Sequence, residues 1–241
     1  MTIRNVLITG ATSGIGLSLF ERYAKSGDNV IACGRNKETL ATLSSRAHKT
    51  LAFDITKPRQ VLTAAQDVKE LDILILNAGD CRYIDDVLNF DGPSFTHTIS
   101  TNLSSLGALL QYFLPKVKKG GQLVFVSSSV TILPFQRSEA YGASKAGMDY
   151  LANSIRLDLL EHNIDVTLVH PGFVSTPLTD KNNFEMPFLL TTEDAASRIF
   201  SGIDKRKKYL HFPKRLTFIM KFFSFLPPSI WQSFITRNNS A

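Results

Sequence analysis

The 241-residue sequence predicts an α/β fold: one doubly wound parallel sheet in a single domain, with a C-terminal helical extension rich in basic and aromatic residues. Three observations carry this. Short apolar runs alternate with longer helix-like stretches along most of the chain. The runs Ile73-Leu74-Ile75-Leu76 and Leu123-Val124-Phe125-Val126 are apolar without alternation, as strands covered on both faces are. Residues with special backbone or chemical properties follow the strand candidates, at the carboxyl ends where such sheets bind ligands.

Strands are expected at 3–9, 28–33, 49–53, 71–77, 121–127 and 164–170, with a weaker one at 208–212. Helices are expected near 14–26, 36–46, 57–67, 95–117, 139–161 and 191–203, joined by right-handed crossovers. The first strand ends at Thr9-Gly10, the second at Gly34-Arg35 and the third at Asp54. Asn77-Ala78-Gly79 follow the fourth, Ser127-Ser128 the fifth and Pro171-Gly172 the sixth. Six such strand ends are much harder to obtain by chance than one glycine motif. No repeat or low-complexity linker interrupts the chain before about residue 204, which divides it into 1–204 and an extension, 205–241.

Composition sets limits. Hydrophobic content of 44% and charged content of 20% are those of an ordinary globular protein. Eight of the 27 Lys and Arg residues and none of the 21 Asp and Glu residues fall in 205–241, leaving 19 basic groups against 21 acidic in the body. A near-neutral body argues against a general nucleic-acid-binding face. Cys33 lies in a strand candidate, so Cys33 and Cys81 are expected reduced, in a cytoplasmic setting. Val6-Leu7-Ile8 begins a strand almost at once, so no secretory leader is expected. His48, His97, His162, His170 and His211 form no metal-ligand spacing; they are expected at the surface or in loops, and no metal is expected.

The first turn reads Thr9-Gly10-Ala11-Thr12-Ser13-Gly14-Ile15-Gly16. Glycines let a backbone turn sharply and approach a pyrophosphate, and the helix that follows offers free N–H groups to phosphate. The spacing is Gly-x-x-x-Gly-x-Gly, which alone also suits a plain strand-to-helix turn. At the end of the second strand an NAD site places an acid for the adenosine ribose, whereas a 2′-phosphate needs a cation. Gly34 leaves space and Arg35 supplies the cation, which favours NADP(H) over NAD(H). Asp54 suits an acceptor for the adenine amino group or a cap for the next helix.

Tyr141 and Lys145 are four apart at the start of a helix and share a face. A phenol titrates near pH 10, and acting as an acid at neutral pH means lowering that at a cost of about 4 kcal/mol, which a neighbouring ammonium helps to meet. Tyr-x-x-x-Lys alone also fits an ordinary amphipathic helix. Ser128, thirteen residues earlier at a strand end, strengthens it.

Together these motifs resemble the short-chain dehydrogenase/reductase family, in its smaller single-domain branch with a Rossmann-like fold, over roughly residues 3–203. The family's glycine motif falls on Thr9, Gly10, Gly14 and Gly16, its Asn-Ala-Gly motif on Asn77, Ala78 and Gly79, and its Pro-Gly turn on Pro171 and Gly172. The resemblance implies catalysis by Ser128, Tyr141, Lys145 and Asn102: Tyr141 as proton donor, Ser128 hydrogen-bonded to the substrate oxygen, and Lys145 lowering the Tyr141 pKa and holding the nicotinamide ribose. Asn102 would kink its helix and hold a water leading from Lys145 to solvent. Cofactor contacts are expected from Thr9, Gly10, Thr12, Ser13, Gly14, Ile15, Gly16, Arg35, Asp54, Asn77, Ala78 and Gly79. They continue through Tyr141, Lys145, Pro171, Gly172, Val174 and Thr176, the last at the nicotinamide end. The implied activity is reduction of a ketone or aldehyde to an alcohol, or the reverse, with NADP(H), by a homo-oligomer acting on a small substrate of some apolar character. A non-catalytic NADP(H)-binding regulator and a membrane-attached adaptor are the alternatives. Two departures stand out: Leu76-Asn77 where the family often has two asparagines, and Ser129-Val130-Thr131 where a small-residue turn usually ends in glycine. The substrate pocket would come from loops near 80–94, 129–138 and 173–190.

The extension is the least family-like part. On a helix, Thr217, Lys221 and Ser224 share one side and Leu216, Phe218, Ile219, Met220, Phe222 and Phe223 cover most of the rest. Pro227-Pro228 ends it, and Ile230, Trp231, Phe234 and Ile235 repeat an apolar helical spacing. Neither segment has the roughly 20 apolar residues a bilayer span needs. A flap over the substrate pocket, an oligomer contact, and peripheral contact of 214–235 with the inner face of a membrane all remain open.

Overall fold

In the computed structural model, which describes residues 3–238, the apolar runs form seven strands of one parallel sheet. They are β1 (Asn5–Thr9), β2 (Asn29–Gly34), β3 (Lys49–Ala52), β4 (Leu71–Leu76), β5 (Val117–Val126), β6 (Asp165–Pro171) and β7 (Tyr209–Phe212). Their order across the sheet is β3-β2-β1-β4-β5-β6-β7. Residues 1, 2 and 239–241, the outer ends of the two expected segments, lie outside the described residues.

Alternate residues of each strand feed different cores. Leu7, Leu74 and Phe125 face one side, against α3 (Pro58–Gln66), α5 (Ser105–Phe113) and α6 (Glu139–Asp158). Ile8, Ile75 and Val124 face the other, against α1 (Gly14–Lys25), α2 (Lys37–Leu43) and α7 (Thr192–Asp204). Burial on both faces explains why the central strands read as unbroken apolar runs. The strand order reverses between β1 and β4, which opens a crevice beyond their carboxyl ends.

Four expectations are corrected. The helix expected over 95–117 is α4 (Gly92–Ile99), a π-helical turn over Ser100–Ser104, α5, and a 3-10 turn over Leu114–Lys116. β5 starts four residues before the expected 121, because Val117 pairs with Leu71 and the register then shifts to Ile73 opposite Gln122. Gly120-Gly121 lie inside that irregularity, where glycines read as a break before the strand. His170 and His211 are buried on β6 and β7, not at the surface or in loops. Partners explain this: His170 Nε2 lies 2.8 Å from Asp149 Oδ2 and its Nδ1 2.9 Å from Tyr209 Oη.

The extension begins inside the sheet. β7 pairs with β6, then α8 (Lys214–Ser224) and α9 (Pro228–Asn238) form a hairpin. Of its polar stripe Thr217 alone is fully buried, with Met220 buried beside it, while Lys221 is half-buried and Ser224 exposed. Lys214 Nζ donates to His211 Nε2 (2.9 Å), so His211 Nδ1 carries its proton towards Thr217 Oγ1 (2.7 Å), and Thr217 donates on to the Pro213 carbonyl. Among the described residues no helix is long and apolar enough to cross a membrane. Cys33 and Cys81 are both buried and unpaired as a disulfide.

Candidate active site

Thr9 ends β1 with its hydroxyl turned sideways, accepting from the backbone N–H groups of Asn77 (3.0 Å) and Ala78 (3.1 Å). The Asn77 amide donates back to the Thr9 carbonyl at 3.0 Å, so β1 and β4 are tied where the crevice opens. The chain then turns at Gly10 with φ +68° and enters α1 close beneath itself: a Cβ on Gly16 would lie 2.1 Å from the Gly10 oxygen. Only glycine permits that approach. Ser13 precedes α1 without a side-chain cap, and no acid lies in the first turn, so its leading N–H groups suit an anion.

At the end of β2, a Cβ on Gly34 would lie 2.6 Å from Thr12 Cγ2, so no side chain, acidic or other, fits without displacing Thr12. Arg35 stands exposed on the wall beside it, and Asn36 caps α2 by accepting from Thr39 N (3.0 Å). Asp54 does not cap α3, whose N-cap is Lys57; its carboxylate accepts from Thr56 N (2.9 Å) and Oγ1 (2.8 Å). Burial works to raise its pKa, but the Thr56 hydrogen bonds and the charges of Arg35 and Lys57 bring it below the ordinary carboxylate range.

The cleft of about 440 Å³ runs from Arg35 and Asp54, past the glycine turn, to Ser128, Tyr141 and Lys145. Every expected site residue lines it except two. Gly16 lies beneath the turn, and Asn102 is fully buried behind Gly79. The β6 loop closes the other wall with Pro171, Gly172, Val174 and Thr176; a Cβ on Gly14 would stand 3.1 Å from Thr176 Cγ2.

Of the three serines after β5, Ser127 and Ser129 are buried, and Ser127 hydrogen-bonds the Lys145 carbonyl at 3.4 Å. Ser128 is the one whose side chain hydrogen-bonds Tyr141. Its Oγ also accepts from Val130 N at 3.2 Å, which turns the following residues into a 3-10 helix over Ser129–Ile132. Lys145, one turn after Tyr141, is buried; its Nζ donates to the Val126 carbonyl (2.9 Å) and lies 5.8 Å from the Tyr141 ring centroid. Burial pushes Lys145 down to about 8, against a partial upward pull from the Asp149 carboxylate. Burial likewise pushes the Tyr141 phenol up, Cys81 adds to this, and the Ser128 hydrogen bond pulls down. Burial dominates and holds the phenol in its proton-bearing form, with Lys145 Nζ turned to the Val126 carbonyl.

Asn102 explains the π-helical turn that contains it. Its amide donates to the Asp80 carbonyl (2.8 Å) and Ser144 Oγ (2.9 Å), and its oxygen accepts from Asp80 N (2.8 Å). One side chain so joins the α4–α5 bend, the loop after β4 and α6, and its oxygen keeps one lone pair.

Sequence reasoning missed Cys81 and Thr179. Cys81 is buried near Tyr83 and Tyr141, its thiol pushed up to about 11 by burial. Thr179 accepts from Thr176 N (2.9 Å) and donates to the Val174 carbonyl (2.7 Å), holding the turn that carries Thr176. A Thr three residues after Thr-Pro is a local turn signal that was available. The three expected substrate loops do meet: Tyr83 donates to Asn182 Oδ1 (2.7 Å), and Arg137 bridges Asp85 (2.7 Å) and Asn183 (2.9 Å). The hairpin reaches the site from behind. A Cβ on Gly172 would lie 2.8 Å from Leu216 Cδ2, and Trp231 Nε1 donates to the Pro134 carbonyl at 2.7 Å.

Residues 4–186 match the sequence model described as short chain dehydrogenase. An "Uncharacterized oxidoreductase" of Myxococcus xanthus (strain DK1622) is 31% identical over 249 residues, covering 98% of each chain. A short chain dehydrogenase from Burkholderia cenocepacia J2315, solved with NADP, superposes with a TM-score of 0.85 over 97% of each chain at 22% identity. A second, from Burkholderia phymatum and solved with NAD, gives 0.81 over 91% of this chain and 92% of that one at 19% identity. The extended cleft, with a helix N-terminus at its centre and glycine cradles that a Cβ would fill, fits such a dinucleotide. The chain belongs to the short-chain dehydrogenase/reductase family of oxidoreductases.

Proposed function

We propose that this protein is an NADP(H)-dependent reductase of ketones or aldehydes, running in reverse as an alcohol dehydrogenase. The observation that carries the proposal is the pairing of the cleft's two ends: Ser128, Tyr141 and Lys145 meet at one, and Arg35 beside a side-chain-excluding Gly34 stands at the other. Arg35 would hold a 2′-phosphate, the N-terminus of α1 the pyrophosphate, and the walls at Asn77, Gly79, Pro171, Val174 and Thr176 the nicotinamide half. When bound, the cofactor supplies a hydride to the carbonyl carbon.

The chain's own residues handle the proton. Ser128 donates a hydrogen bond to the carbonyl oxygen, and Tyr141 gives that oxygen its phenolic proton, completing the alcohol. Tyr141 is left as phenolate beside Lys145, whose charge favours that product. Asn102 acts as a positioning residue, and its remaining lone pair can take a water through which Tyr141 and Lys145 recover the proton. A binding-only protein has no need of a lysine buried so deeply that its charge is disfavoured, which weighs against the regulator reading.

The test is oxidation of NADPH and NADH, followed at their absorbance, against a panel of ketones and aldehydes from small and polar to long and apolar. NADPH-dependent turnover of a panel member is expected. A protein that binds NADPH and turns over none, while reversing none of the matching alcohols, would overturn the proposal.

A further inference from the structure

A surface helix ordinarily hides its apolar stripe and shows its polar one. α8 hides one apolar row, Leu216, Met220 and Phe223, and leaves a second one outside. Thr217 and Met220 face the protein, while Phe218, Phe222 and Phe225, spaced i, i+4 and i+7, form an outward stripe with Ile219 beside it. Phe222 is 63% exposed and Phe225 87%. α9 continues the face with exposed Ile230 and Phe234, the latter 5.4 Å from Phe223 between ring centroids. The hairpin is held in this orientation by its inner side, through Thr217 on His211 and Trp231 on Pro134 and Phe135.

The charges of the segment that carries the face have one sign. Lys214 and Arg215 open α8, at the helix end where the dipole disfavours cations. Lys221 lies 4.6 Å from the Tyr209 ring centroid, so α8 doubles back along β7 towards Lys207 and Lys208, which are exposed. Arg206 is turned inward to Asp165, and no Asp or Glu occurs from 205 to 241. A second copy of this face would bring two sets of cations together, whereas an anionic surface complements them.

We propose that the α8–α9 hairpin docks on the surface of an anionic lipid bilayer, with Phe218, Ile219, Phe222 and Phe225 in the headgroup–acyl boundary and the exposed Lys207, Lys208 and Arg215 on lipid phosphates. The physical basis is that of any interfacial amphipathic helix: buried apolar area plus attraction to anionic lipid. The inference is independent of the proposed reaction, since it concerns a face on the opposite side of the hairpin from the substrate loops.

The experiment is co-sedimentation of the full chain with vesicles of phosphatidylcholine alone and of phosphatidylcholine with phosphatidylglycerol, at low and high salt. Binding to the phosphatidylglycerol vesicles is expected, weakened about tenfold or more by high salt or by omission of the anionic lipid. The double variant Phe222→Ser/Phe225→Ser is expected to lose about tenfold or more of that affinity with unchanged melting temperature and NADPH affinity. Equal binding to both vesicle types, no binding to either, or undiminished binding of the double variant would overturn the proposal. So would a double variant that changes from dimer to monomer in the absence of lipid, which would assign the face to a second copy. NADPH affinity, read on the same samples, reports the cleft separately from the hairpin.

Discussion

At the closed end of the cleft, polar side chains are enclosed and given partners: Asn102 is fully buried with three hydrogen bonds, and Lys145 is buried on the Val126 carbonyl. On the α8–α9 hairpin the enclosed polar residue is Thr217, and the groups left outside are aromatic. Both regions depart from what folding alone favours, in opposite senses. Burying an ammonium and exposing a row of phenylalanines each cost free energy. The first cost makes sense where a charge must act on a reacting group, and the second where something covers the surface. The two proposals therefore rest on two kinds of misplaced polarity, and each can be tested against its neighbours.

The largest effect is expected at Tyr141. If the enclosed end is a proton-transfer site, Tyr141→Phe removes the proton and little else, since the ring is kept and the cleft's anion-binding parts lie elsewhere. Turnover should fall by about a hundredfold to ten-thousandfold. NADPH affinity, by fluorescence titration, should stay within about threefold, allowing only for the lost hydroxyl. A variant that retains wild-type turnover on a confirmed substrate would show that another group is the acid.

The open end of the same cleft should respond differently. Arg35→Ala leaves chemistry intact and removes a charge-assisted contact worth about 1.5–3 kcal/mol, so the preference for NADPH over NADH should fall by about tenfold or more. Equal affinity of the unmutated protein for the two cofactors would break the assignment outright. Gly34 sharpens it: a Cβ there would lie 2.6 Å from Thr12 Cγ2, so an acid at this strand end would have to displace the Thr12 side chain.

How far these two regions were legible in the sequence follows from the range of the forces that build them. The strand ends were legible because glycine turns, an Asn-Ala-Gly run and a Tyr-x-x-x-Lys pair are local signals. The cleft brings them together because β1 and β4 adjoin where the strand order reverses. The break in the helix expected over 95–117 was not, because the turn at Asn102 answers hydrogen bonds to Asp80 and Ser144, distant in sequence or across loops. The same holds for His170 and His211, whose burial depends on Asp149, Tyr209, Lys214 and Thr217. Periodicity showed that residues 214–224 have two faces, and it could not say which one turns inward. That depended on partners distant in sequence, among them His211 for Thr217 and Leu133 for Met220.

The two sides of α8 give the next prediction. Thr217→Val keeps the shape and leaves the His211 Nδ1 proton without an acceptor, which should cost about 1–3 kcal/mol in urea denaturation. Phe222→Ser, a far larger change in hydrophobicity, should move stability by no more than about 0.5 kcal/mol. The opposite ranking would mean that the aromatic side of α8 packs on the protein. Removing 214–241 as a block is a poorer probe, because Leu216 packs on Gly172, inside the cleft wall; removing α9 alone is cleaner.

The smallest effect is a slope, and it measures how heavily the enclosed end is burdened. Lys145 titrates near 8 in the folded protein against an ordinary 10.5. Below about pH 8 both folded and unfolded chains bind its proton, and the folded state bears the full cost of the buried charge. Between about 8 and 10.5 only the unfolded chain keeps the proton, so the unfolded state binds more protons and this group's contribution to stability rises with pH. The gain should approach about 1 kcal/mol per pH unit within that window. Cys33 and Cys81 oppose it, because burial raises both thiols and their unfolded forms lose protons first as pH rises. The readout is therefore the difference between the wild type and Lys145→Met in cofactor-free protein, from urea midpoints at matched pH steps across the window. That difference should move in favour of the wild type as pH rises. Asp149→Asn, which removes the carboxylate that supports the Lys145 charge, should start the rise at a lower pH. If the difference is flat across the window, Lys145 pays no desolvation cost, and the contrast between an enclosed charge and an exposed aromatic face loses its first term.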